Sequence, residues 1–234
     1  STDSDSLSPL RRVRRAYDNI HECEEGEMGM NWRRALAGLA LGAAAPVVLA
    51  AGELPDVDLG RAEEINMGRC FLCHGVDGES STALYPRLAG QHYQYIAKQL
   101  ADFQAGRRKS DTMVSMVEGL TADEMLALGV FFEKKPTRAQ AVQDADLAGV
   151  GRYVFHRGNE YSGVAACASC HGERGLGSPA LPRLAGQVPQ YTESQLKSFN
   201  KRERTNDNAV MHSIASRLTE LEIKAVSLYI ATLD

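Results

Sequence analysis

Cys70-Phe71-Leu72-Cys73-His74 and Cys167-Ala168-Ser169-Cys170-His171 repeat one pattern, C-x-x-C-H, at a spacing of 97 residues. The chemistry accounts for the spacing within each copy. Two thiols one helical turn apart can each add to a vinyl group of one porphyrin. The imidazole that follows is then delivered to the iron as its proximal ligand. This is the attachment signature of c-type haem. The competing use of paired cysteines is zinc, but zinc ribbons place their two C-x-x-C knuckles about 15–20 residues apart. Here a whole domain separates the pairs, and each ends in His followed by glycine, Gly75 and Gly172. The reading is two covalently attached haem c groups, held by Cys70 and Cys73 and by Cys167 and Cys170, with His74 and His171 on the irons.

The rest of the chain is an internal duplication. Pro86-Arg87-Leu88-Ala89-Gly90-Gln91 returns unchanged as Pro182-Arg183-Leu184-Ala185-Gly186-Gln187. Tyr95 matches Tyr191, Gln99-Leu100 matches Gln195-Leu196, Phe103 matches Phe199 and Leu120-Thr121 matches Leu218-Thr219. The offset runs from 96 to 98, so two homologous domains differ by short insertions. A solenoid would need a shorter repeat and more copies.

The repeat also nominates the sixth iron ligands. Met211 is the one methionine of the second copy, seven residues before Leu218, and Met113 stands seven before Leu120. A thioether is a soft, uncharged ligand that favours reduced iron and raises the potential. Methionine as flexible core filler is the competing reading. Met116 is the alternative to Met113, which the duplicated spacing favours. Met67 and Met125 read as packing residues.

A coarse pass gives an all-α fold. Each copy opens with an amphipathic helix: Leu59, Ala62, Ile65 and Cys70 share a side in the first, and the second begins near Leu147. A looser stretch at 157–163, with Gly158, Asn159 and Gly163 as turn residues, leads to the second cysteines. Middle helices follow at about 93–105 and 190–200. Thr121-Ala122-Asp123-Glu124 and Thr219-Glu220-Leu221-Glu222 are capping boxes that start the last helices. Lys134-Lys135-Pro136-Thr137, reaching to about Asp144, reads as a surface linker. The expected division is a leader at 1–51, one domain at 52–137 and a second at 138–234. Neither domain, at under 100 residues, is expected to be robust without its buried macrocycle.

CHGVDG at 73–78, YPRLAGQ at 85–91, KQLADFQAGRR at 98–108, RTND at 204–207 and the paired methionines resemble the dihaem class I cytochromes c of the cytochrome c4 family. The resemblance covers about residues 52–234. It implies two tandem class I domains around a pseudo-twofold axis, each wrapped on one haem, in a protein exported to the periplasm. It also implies that the Pro86 and Pro182 carbonyls accept the Nδ1–H of His74 and His171, a bond that fixes the ring and makes Nε2 a better donor. Proline as a plain turn residue remains the alternative.

His92, His156 and His212 are weaker candidates, expected to be polar surface side chains. Arg107-Arg108-Lys109 and Lys201-Arg202-Glu203-Arg204 occupy equivalent places before the methionines. Each reads as a solvated charged face or a group near haem propionates or a docking site. Upstream, Met30-Asn31-Trp32-Arg33-Arg34 followed by an uncharged stretch at 35–51 resembles a secretory signal, with Val48-Leu49-Ala50 as a cleavage site. An uncleaved anchor is the alternative, at the short limit for a span. Residues 1–29 read as a mis-assigned start or a disordered tail, and their Cys23 has no partner. Formal net charge is −4; residues 1–50 hold six of the basic and seven of the acidic groups, which leaves −3 before any propionates. That balance argues against nucleic acid.

Three functions compete. The first is a carrier taking electrons from a quinol–cytochrome c reductase or a dehydrogenase to a haem–copper terminal oxidase, soluble or membrane-associated. The second is the cytochrome subunit of a dehydrogenase complex, such as flavocytochrome c sulfide dehydrogenase. The third is a dihaem enzyme. An enzyme needs an exchangeable iron site or a cysteine ligand; each copy offers a methionine instead, so the chain is expected not to be an enzyme itself.

Overall fold

The structure, a computed structural model, describes residues 54–80 and 82–234. The leader, its apolar stretch and Cys23 therefore lie outside the described residues. Among the described residues the regular structure is helical, with two isolated antiparallel bridges, Asn159 to Val164 and Ser178 to Leu181. No helix among them is long and apolar enough to cross a membrane.

The first half opens with α1, Leu59–Ile65, capped by Asp58, whose carboxylate accepts from the Arg61 amide at 2.9 Å. α1 passes through one π-helical turn, Asn66–Cys70, straight into α2, Phe71–His74. α3 (Tyr93–Gln104), α4 (Asp111–Val117) and α5 (Ala122–Glu133) complete this half. The second half runs α6 (Ala145–Arg157), α7 (Ala168–His171), α8 (Pro189–Asn200), α9 (Val210–Ala215) and α10 (Glu220–Thr232). Both expected capping boxes are present, the Thr121 and Thr219 hydroxyls each accepting from the amide three residues on at 3.2 Å. The short methionine-bearing helices α4 and α9 carried no sequence signal, having about two turns each and no room for periodicity.

Each half has its own apolar cluster. Ala62, Ile65, Ile96, Phe103, Leu128 and Phe132 anchor the first, with Cys70 and Met113 packed against it. Val154, Phe155, Ile223, Val226 and Ile230 anchor the second, with Cys167 and Ile214 against it. Burying such side chains contributes roughly 1.5–3 kcal/mol each. Met125 is in the first core as expected, but Met67 is 45% exposed, because the π turn carries it away from the face that Ile65 and Cys70 share.

The repeated loops join the halves reciprocally. Gln91 donates to the Arg183 carbonyl at 2.9 Å and accepts from the Arg183 amide at 2.9 Å. Gln187 does the same to Arg87, at 2.9 and 2.8 Å. Arg108 and Arg204 are buried beside this seam rather than solvated. Arg108 donates to Gln99 (2.7 Å), Tyr191 (2.9 Å) and Gln195 (2.9 Å). Arg204 donates to Gln195 (2.8 Å), Tyr95 (2.9 Å) and Gln99 (3.2 Å). Each guanidinium also lies over its own phenylalanine, Phe103 or Phe199, at 4.6 and 4.5 Å. A solvated-face reading of these two arginines is therefore corrected: an arginine can stay charged inside when acceptors from both halves meet its fork.

The linker is bonded as well as exposed. The Gln140 amide donates to the Ala231 carbonyl at 2.7 Å and its side chain to Gly186 at 2.8 Å. The three other histidines among the described residues are also tied down. His92 Nε2 pairs with the Leu176 carbonyl at 2.9 Å, and His212 Nδ1 with the Phe199 carbonyl at 2.9 Å. His156 bridges Glu173 (2.9 Å) and Tyr229 (2.8 Å). Each is half-buried by those partners, not a free surface side chain.

Candidate functional site

The two C-x-x-C-H segments fold alike because each is a single helical turn ended by glycine. Gly75 and Gly172 adopt φ +84° and +82°, where a side chain would be strained. The chain then turns back so that Gly78, φ +77°, offers its carbonyl to the amides of Leu88 and Ala89 at 2.7 and 3.0 Å. Gly175 does the same for Leu184 and Ala185 at 2.7 and 3.0 Å. This folds the proline loop over the histidine. His74 Nδ1 meets the Pro86 carbonyl at 2.9 Å and His171 Nδ1 meets the Pro182 carbonyl at 3.0 Å. A carbonyl can only accept, so each Nδ1 carries the proton and each Nε2 keeps its lone pair. The loops are fixed in turn on the last helices, Gly90 to the Phe132 carbonyl at 2.8 Å and Gly186 to Ile230 at 3.0 Å.

Both histidines are buried, and burial holds their pKa below the usual imidazole value against the opposing carbonyl bond. A neutral ring with a free Nε2 is the form that binds a metal. Burial likewise pushes the Cys70 and Cys167 thiols up to about 11. At these two positions a protonated, apolar-packed sulfur suits an end state that is a thioether rather than a thiolate. Among the described residues no three His, Cys, Asp or Glu side chains are arranged to hold one metal ion, so the two cysteine pairs do not converge as a zinc ribbon's knuckles do.

Cys70, Cys73 and His74 lie on one continuous helical segment, and Met113 packs on the same apolar cluster as Cys70. Met116, one turn on, is held at its carbonyl by Arg69 at 3.4 Å. In the second half Cys167, Cys170 and His171 again share a turn, and Met211 stands half-buried on α9 with Ile214 on the core side. The donors therefore fit haem c twice: two thiols one turn apart, a preoriented imidazole nitrogen, and a thioether on a separate helix.

The family model for cytochrome c matches residues 155–234. Cytochrome c4 of Thiocapsa roseopersicina is 39% identical over 189 residues, covering 79% of this chain and 96% of that one. The thiosulfate dehydrogenase electron acceptor of Thiomonas intermedia is 35% identical over 167 residues, 69% of this chain and 77% of the relative. Among solved structures, reduced cytochrome c4 from Pseudomonas stutzeri superposes with a TM-score of 0.72 at 32% identity, over 76% of this chain and all of that one. With two haem-attachment segments, an all-α fold and these likenesses together, the chain belongs to the cytochrome c4 family of dihaem electron carriers.

Proposed function

We propose that the chain is a periplasmic shuttle with one haem domain at 52–137 and another at 138–234, passing electrons from a reductase or dehydrogenase to a haem–copper terminal oxidase. Cys70 and Cys73 hold one haem and Cys167 and Cys170 the other. His74 and Met113 would be the iron ligands of the first half, and His171 and Met211 those of the second. Bound haem supplies a one-electron Fe(III)/Fe(II) couple. The protein's part is to fix each imidazole through its proline carbonyl and to surround the site with the apolar clusters, and each methionine would offer its thioether to the iron. The observation that carries the reading is the duplicated histidine geometry: Nδ1 of His74 and of His171 meets a proline carbonyl at 2.9 and 3.0 Å, and each half carries a methionine at the matching place of the repeat.

Each axial assignment is tested by Met113→Ala and Met211→Ala. Each should remove about half of the near-infrared sulfur-to-iron band, since one of two such bonds is lost, and lower one midpoint potential. Met116→Ala should leave the band whole; losing the band there would move the ligand by one turn.

Stopped-flow mixing of the reduced protein with a terminal oxidase tests the acceptor. Transfer should be fast and should slow as salt rises, because such docking is small, weak and steered by charge. A second reading is favoured by the likeness to the thiosulfate dehydrogenase electron acceptor and to a thiosulfate dehydrogenase structure from Marichromatium purpuratum, of TM-score 0.68 and 31% identity. There the donor is a sulfur-compound dehydrogenase. Reduction by such an enzyme with no delivery to any oxidase would replace the oxidase assignment with this one.

A further inference from the structure

The two methionine segments are set by different means. Four residues separate Arg108 from Met113, and six separate Arg204 from Met211. In the first half the step is simple: Ser110 is extended and its hydroxyl accepts from the Met113 amide at 3.3 Å. In the second, the extra length is taken up by Asn208 and Ala209, at φ +56° and +66°. Asparagine visits that left-handed region readily, but alanine brings its Cβ too near the following carbonyl. Two successive non-glycine residues persist there only when their surroundings hold them.

The holder is Asp207. Its Oδ1 accepts from the Ala209 amide at 3.3 Å and its Oδ2 from the Met211 amide at 2.6 Å. One carboxylate thus spans the strained pair and ends on the methionine itself. The residue before it is fixed from the other half: Lys98 donates to the Asn206 carbonyl at 3.0 Å, and the Asn206 amide donates to Asp102 at 2.6 Å and to Gln99 at 3.0 Å. Ser110 offers neither a charge nor a second bond of this kind.

We infer that Asp207 is a positioning residue for the second methionine, clamping a strained turn whose base is anchored in the first half and so setting how far the Met211 thioether reaches. The inference rests on the axial assignment of Met211 made above. Without the carboxylate, Asn208 and Ala209 relax to ordinary backbone, the first turn of α9 rotates, and the thioether withdraws. A small neutral donor such as imidazole then competes for that iron.

The test is an imidazole titration of the haem-loaded protein, with the near-infrared band and the two midpoint potentials recorded beside it. Asp207→Ala should weaken the band toward half, lower one potential, and tighten imidazole binding at one haem by about tenfold or more. Ser110→Ala should leave band and titration at the wild-type level. The double variant Asp207→Ala with Ala209→Gly should recover most of the band, because glycine holds the left-handed turn unaided. If Asp207→Ala does not fold, Asp207→Asn, which keeps one acceptor oxygen, should bind imidazole at an intermediate strength. A full band and an unchanged titration in the alanine variant, or in the asparagine variant where that is the one that folds, overturns the clamp. An unrescued double variant does so as well. Met211→Ala separates the two ideas: if it too keeps the full band, the axial assignment has failed, and otherwise only the clamp is in question.

Discussion

α5 and α10 close the two halves, begin with the same capping box and carry the same proline loop on their carbonyls, and each packs on its entry helix and its middle helix, yet the main partner differs. α5 makes its closest approach to α3, where a Cβ on Gly129 would stand 2.6 Å from the Tyr93 carbonyl. α10 makes its closest approach to α6, where a Cβ on Gly151 would overlap the Ala225 carbonyl. The cause lies at the entry to each haem segment. α1 has 7 residues before its π turn runs into Cys70, whereas α6 has 13 and is followed by a bonded loop to Cys167. The unbroken α-helical entry makes α6 the main partner of α10; the entry interrupted by a π turn still touches α5, which leans more on α3. The difference teaches that duplication preserved the ends that hold the cofactor and let the helix pairing between them drift.

That comparison is broken most directly at the glycines. Gly151→Ala drives a methyl group into backbone that cannot step aside, and should cost about 3 kcal/mol by overpacking, read as a lower urea midpoint with an unchanged slope. Gly129→Ala meets a less severe overlap and should cost less. If Gly129→Ala proves the more damaging, α5 and α10 are not packed as described.

The seam between the halves is the next lever. Arg108→Ala removes the donor to Tyr191 and one of the two to Gln195 across the interface, and Arg204→Ala removes the donor to Tyr95 and one of the three to Gln99. Hydrogen bonds to a charged group are worth about 1.5–3 kcal/mol, so each variant should lose roughly 2–3 kcal/mol. Burial alone would push the Tyr191 phenol up, but Arg108 and Arg204 outweigh it and hold its pKa below the ordinary tyrosine value. Arg108→Ala should therefore raise that pKa in an ultraviolet titration. An unchanged Tyr191 titration would mean that the guanidinium does not face it in solution.

What the sequence disclosed was what is local. The C-x-x-C-H turns, the glycines after them and the threonine caps all act within a few residues, so composition at fixed spacing reveals them. The proline carbonyls were reachable through family likeness, and the geometry at His74 and His171 bears them out. Arg108 and Arg204 were misread because their acceptors lie mostly in the other half, at separations up to 109 residues. A basic run looks the same whether one of its members is solvated or buried. Asn208 and Ala209 left no mark at all, since nothing in an alanine announces a left-handed backbone. His156 was visible only as a histidine; its partners Glu173 and Tyr229 come from two other segments.

The smallest expected effect separates the two capping-box glutamates. Glu124 is half-buried, accepting from the Thr121 amide at 2.9 Å and from the half-exposed Arg61 at 2.8 Å. Glu222 is buried, accepting from the Thr219 amide at 2.8 Å and from Asn159 Nδ2 at 2.7 Å, which ties α10 to the loop before the second cysteines. Burial raises its carboxyl pKa, but the Thr219 amide, the Asn159 side chain and the Thr219 hydroxyl together overcome it and leave it below the usual carboxylate range. A carboxyl whose folded pKa is depressed stabilises the fold above its unfolded pKa of about 4.3, and the contribution is lost as pH falls through the folded value. Glu222→Gln should therefore cost about 1–2 kcal/mol at pH 7, and the gap from wild type should narrow in acid. Glu124→Gln should cost less, since water and salt already screen Arg61. Urea unfolding of both variants at pH 7 and near pH 4 decides it: a Glu222→Gln deficit that persists unchanged in acid would show that the ionised carboxylate is not what holds the Asn159 loop to α10.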